Sequence, residues 1–94
     1  MREETQKAGP HPADLVKALR ALLGWTQEQL AERCEIDRRY INKIETGRNR
    51  CSTSNMRKAL ARGFGLPRDD FDMFIEGKLA VDATKALIDA RKAS

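Results

Sequence analysis

The stretch EIDRRYINKIETGRNR, residues 35–50, gathers the side chains of this sequence best suited to chemistry. Arg38, Arg39 and Lys43 fall on one short helical segment, and Arg48 and Arg50 follow in a loop. Cations at this density suit phosphate binding, although a solvated helix face can also carry them. The charge around them favours the first use. Residues 38–62 hold eight Lys/Arg against one acid, Glu45, whereas residues 66–94 hold five against six. The chain's net charge of +4 is therefore concentrated in one region. A membrane surface is the competing partner, but the basic stretch lacks the bulky apolar face that would insert.

Catalysis finds no support. His11, the only histidine, sits between Gly-Pro and Pro with no Ser, Cys or second His placed beside it. No nucleophile–base pair, phosphate loop or CxxC pattern is visible, so no enzyme, cofactor or metal site is expected. Cys34 falls on the apolar side of a helix and reads as a packed free thiol. A disulfide to Cys51 is the less favoured alternative in a chain expected to be cytoplasmic. Apolar runs reach only three residues, too short to span a bilayer.

The basic residues need elements to position them. The opening MREETQKAGPHP has no apolar segment and reads as a flexible leader, residues 1–12, rather than a signal peptide. PADLVKALRALLGW carries apolar residues at helical spacing, capped by Asp14 or the segment before it and ended by Gly24. Thr26 with Gln29 forms a capping box for the next helix, and Trp25 is placed to staple onto Leu30. That helix stops near Glu35. Asp37 then caps RRYINKIE, with Ile41 and Ile44 inward and Arg38, Arg39, Asn42 and Lys43 outward. Gly47 closes it. Ser52 or Thr53 caps a fourth helix bearing Met56, Ala59, Leu60 and Phe64, and a short fifth turns Phe71, Phe74 and Ile75 inward. Residues 78–94 read as a last amphipathic helix using Leu79, Ala83, Leu87 and Ala90, either to join protomers or to fold back over Phe71, Phe74 and Ile75. The fold class is all-α, five or six helices, with a body spanning 13–77.

Two short helices joined by a turn of about three residues, the second basic, form a helix-turn-helix. The first must brace the second, so a small residue, Ala31, suits their closest approach. LGWTQEQLAERCEIDRRYINKIETGRNR resembles the helix-turn-helix of the Cro/CI-type (XRE) family, typified by phage repressors such as that of lambda. The matching residues are Thr26, Gln27, Glu28, Leu30, Ala31, Ile36, Ile41, Ile44, Glu45 and Gly47, and a weaker likeness extends over residues 13–74.

The resemblance implies a lambda-repressor-like domain that binds a double-stranded DNA operator, acts as a repressor and pairs as a homodimer. It places Gln27 on a phosphate and beside the first reading residue. Arg38, Arg39 and Lys43 take base-reading positions, with Tyr40 and Asn42 nearby, and Arg48, Asn49 and Arg50 hold phosphates from the loop. Arg20 and Glu45 match a structural pair that fixes the recognition helix. The phage repressors often use glutamine where this chain has Arg38 and Arg39; arginine pairs with guanine, so guanine-bearing half-sites are expected, with phosphate binding by these arginines the open alternative. The loop after Gly47 looks one residue longer than usual, with Cys51 near the family's common proline. Plainer roles stay open for several residues. Tyr40 also fits a cover of the helix edge, Lys43 a solvated charge, and Arg57, Lys58 and Arg62 solvent charges. An antitoxin-like protein-binding module, gripping a partner through helix 78–92, is the alternative function.

Overall fold

The computed structural model describes residues 11–48 and 53–93, and every regular element among them is a helix. The first, α1 (Pro12–Leu23), starts earlier than the leader expected over 1–12 would allow. His11 Nδ1 accepts the Ala13 N–H at 3.0 Å, and Pro12 occupies the first turn, where its missing N–H is no loss. Asp14, one of the two expected caps, instead sits inside that turn and favours it by charge alone. Gly24 ends the helix at φ 76°, a conformation that suits a residue without Cβ.

In α2 (Gln27–Cys34) both halves of the capping box form. The Gln29 N–H donates to Thr26 Oγ1 at 3.0 Å, and the Thr26 N–H to Gln29 Oε1 at 2.8 Å. Trp25 stacks on Phe64 with ring centroids 6.0 Å apart, and the Arg33 guanidinium lies 4.2 Å above its ring. Glu35 closes α2 at φ 60°, the one non-glycine in the left-handed region among the described residues. This cap reverses the chain within three residues. Asp37 then opens α3 (Arg38–Glu45), its carboxylate accepting the Arg39 N–H at 2.8 Å. Ile41 and Ile44 are fully buried, which rolls the polar side of α3 outward. Past its end, Gly47 takes φ 84° and the Arg48 N–H donates to the Lys43 carbonyl at 2.8 Å.

Thr53, the second of the two expected caps, begins α4 (Ser54–Phe64), accepting the Met56 N–H at 3.2 Å. Then come α5 (Arg68–Ile75) and α6 (Val81–Ala93). Phe64, Phe71 and Phe74 fill the centre with Leu19, Leu30 and Ile41. Ala31 is buried, and a further close approach lies between α2 and α4. A Cβ on Gly63 would lie 2.2 Å from Cys34 Sγ and 3.1 Å from its backbone.

The face of α6 also differs from expectation. Ala83, Leu87 and Ala90 are exposed, while Thr84 and Ile88 are buried, with Leu79 and Val81 packed at the core's edge. The inward register is possible because Thr84 Oγ1 donates to the Ala80 carbonyl at 2.7 Å, leaving no bare hydroxyl inside. With Ile88 in the common core, α6 belongs to the same packed body as α1–α5.

Candidate nucleic-acid interface

A helix that reads a groove must be held rigidly from behind, and two other helices converge to hold α3. Arg20 on α1 donates from Nε to Glu45 Oε2 at 2.7 Å and from Nη2 to Oε1 at 3.0 Å. Its Nη1 donates to the Trp25 carbonyl at 2.7 Å, fixing the α1–α2 turn as well. Gln27, at the start of α2, donates from Nε2 to Glu45 Oε1 at 3.0 Å. Glu45 is only 3% exposed, so its charge is compensated by three donors rather than by water. The bond to Glu45 raises the Arg20 guanidinium above the usual arginine range, against the opposing effect of burial. Gln27 is thereby committed to the brace through one amide N–H, with its carbonyl and second N–H remaining for other contacts.

On the opposite side of α3, Arg38, Arg39, Asn42, Lys43 and Arg48 line a hollow of about 290 Å³. None of its lining residues is acidic. All five are exposed. They come together because positions 38, 39, 42 and 43 share a helix face, and the left-handed Gly47 turns Arg48 back toward it. Arg38 also borders a second concavity with Thr26, Gln27 and Glu28, joining the start of α2 to the start of α3. Tyr40 does not line either hollow; it lies on the flank, with Lys43 Nζ 5.7 Å from its ring centroid. Asn49 and Arg50, and Cys51 with them, lie outside the described residues.

The other cations divide. Arg57 donates to Asp72 at 3.2 Å and Glu76 at 3.4 Å, linking α4 to α5 rather than serving as a bare solvent charge. Arg62 pairs loosely with Glu35 at 3.6 Å, and Lys58 is exposed. Cys34 is a free buried thiol whose pKa burial pushes up to about 12, so it packs without the thiolate that reactivity needs.

Sequence reasoning missed one polar arrangement at the site. Besides capping α3, the Asp37 carboxylate accepts from Arg39 Nε at 3.2 Å and Nη2 at 3.3 Å. The backbone and side-chain bonds from Arg39 hold Asp37 below the usual carboxylate range. Spacing i, i+2 beside a cap was the available signal, but capping alone already explained an Asp there.

A short braced helix, a tight turn and a second helix with an exposed basic face define a helix-turn-helix protein. The comparisons agree. A family model described as helix-turn-helix matches residues 16–71, more than half of the chain. The chain belongs to the XRE-type helix-turn-helix family, a family of DNA-binding proteins. It is 37% identical over 46 residues to a hypothetical transcription factor of Neisseria meningitidis serogroup B. That alignment covers 49% of this chain and 43% of the relative, so less than half of the relative's length is represented here. No solved structure matches the chain significantly. Among the described residues no helix is long and apolar enough to cross a membrane.

Proposed function

We propose that this chain is a sequence-specific transcription regulator that lays α3 in the major groove of duplex DNA and represses by occupying its operator. The observation that carries this reading is the acid-free hollow on α3, backed by the buried Arg20–Glu45–Gln27 brace. Arg38, Arg39, Lys43 and Arg48 supply cations for phosphates and base edges, and Asn42 an amide for a base edge. Gln27, Tyr40, Asn49 and Arg50 complete the proposed contact set. The body proposed to dock is the segment 13–77, stiffened by α6. A protein working on operator DNA in this way acts in the cytoplasm.

Two protomers, each on one half-site, place their recognition helices about 34 Å apart. The outward stripe Ala83, Leu87 and Ala90 on α6 is the surface proposed to join them. The same stripe favours a second reading, an antitoxin-like module that grips another protein there; copurification of a tight heterologous partner distinguishes it.

Fluorescence anisotropy with duplexes selected from a random library tests the main reading. The hollow's four cations, three of them on phosphates when one reads a base edge, give a log K against log salt slope of about −3 to −4 per protomer. An affinity that barely moves between low and physiological salt refutes it.

A further inference from the structure

Among the cations of the hollow, Arg39 alone is held by a carboxylate within the described residues. The hold is built from the backbone outward. Asp37 must sit where it does to accept the Arg39 N–H at the start of α3. Its two oxygens then meet Nε and Nη2 of the same residue at 3.2 and 3.3 Å. Those contacts use the side-on edge of the guanidinium. The end-on edge, formed by Nη1 and the second N–H of Nη2, is turned away from Asp37. It has the paired donors that match O6 and N7 of guanine. The Arg39 side chain is 82% exposed, so the carboxylate is its chief restraint.

We propose that Arg39 is the guanine-reading side chain of α3 and that Asp37 is its positioning residue, presenting the end-on fork while setting a negative charge against other acceptors. This rests on the DNA-binding reading above. Arg38 has no such clamp and borders both concavities, which assigns it to phosphate. Asp37 trades general attraction for choice: its charge repels every phosphate backbone, but its clamp favours the one base that satisfies the fork. Removing that charge therefore moves two quantities in opposite directions. A purely structural residue would not do so.

The experiment uses the full chain and a duplex selected by the wild type. The guanine read by Arg39 is the one whose replacement by a deazaguanine lacking N7 weakens the wild type but not Arg39→Ala. Asp37→Asn keeps a capping oxygen and removes the charge, with Asp37→Ser as a second capped variant, and thermal melting verifies that each folds. Discrimination at that guanine is expected to fall about 2- to 10-fold, the range for losing one preordered long side chain. Discrimination elsewhere holds, affinity for random duplex stays level or rises, and neither substitution further changes discrimination in an Arg39→Ala background. The proposal is overturned by unchanged discrimination in both variants, by equal loss at every position, or by an Arg39→Ala chain that loses no position. A wild type that binds no duplex in a salt-dependent way overturns the underlying function instead, and this assignment falls with it.

Discussion

Replacing Gly63 by alanine sets two effects of known sign against each other. Within a helix alanine is better than glycine by at most about 1 kcal/mol, so propensity alone makes Gly63→Ala, next to last in α4, stabilising. Packing says the reverse. The added Cβ would lie 2.2 Å from Cys34 Sγ, a separation that real Cβ atoms do not show, and 3.1 Å from Cys34 Cα and N. Rotating the sulfur away relieves only the first contact, and Cys34 is 1% exposed, with little space to receive it. The backbone contacts remain, so α2 and α4 must separate. Overpacking of this kind costs about 3 kcal/mol at the upper end of its usual range, which leaves a net loss of about 2 kcal/mol after the propensity gain. For a chain this size that lowers the melting temperature by about 8–16 °C. Circular dichroism during heating and urea unfolding read both quantities. Cys34→Ala removes the sulfur contact, so the double variant should lose less than the two single variants together. A Gly63→Ala chain as stable as wild type would refute the close approach. The outcome bears on function because α2 carries Gln27 and braces α3.

Glu45→Ala leaves Arg20, 16% exposed, without its partner and should cost about 3 kcal/mol in urea unfolding; a loss below 1 kcal/mol would contradict a buried brace. For Cys34 the folded pKa, about 12, lies above the ordinary thiol value, so the folded state holds the proton longer than the unfolded chain. Stability from this group is intact below about pH 8.5 and is lost as pH rises toward 12, by at most about 1.4 kcal/mol per pH unit. Cys34→Ala should lack that share of the alkaline slope, and an identical slope in both chains argues against it. At assembly, Leu87→Glu places a charge in the outward stripe of α6 without touching buried Thr84 or Ile88. Sedimentation should then show monomer where the wild type is dimeric; a wild type that is monomeric at micromolar concentration, free and on a half-site, removes α6 as the dimer element.

The parts of the fold legible in the sequence are those whose cause is local. Thr26 with Gln29, Asp37 ahead of RRYINKIE, and the left-handed Gly24 and Gly47 each act within a few residues, so their types announce their geometry. The inward face of α6 was not legible for an equally physical reason. Counting apolar side chains selects Ala83, Leu87 and Ala90, but burial selected Thr84 and Ile88, because a threonine in a helix can satisfy its own hydroxyl on the preceding turn. Gly63 and Cys34 meet from different helices, and nothing local to either marks the contact. His11 looked like part of a leader because a histidine cap is less common than an Asp or Ser cap, and its role depends on Pro12 starting the helix.

At the site, the cationic residues, the Arg20–Glu45 pair and the Asp37 cap were legible, whereas the second contact of Asp37, with the Arg39 side chain, was not. Each end of α3 is governed by one carboxylate, and the two work in different media. Glu45 at the C-terminal end is buried, accepts from Arg20 and Gln27 on two other helices, and so fixes the angle at which all of α3 meets a surface. Asp37 at the N-terminal end is half exposed and accepts only from Arg39, so it governs one side chain. Disturbing Glu45 should therefore weaken every sequence alike through the tilt of the whole helix. Disturbing Asp37 should alter the choice at one position and leave the helix in place. Similar acid–arginine pairs, separated by burial and by how many elements they join, thus divide the work of docking from the work of choosing.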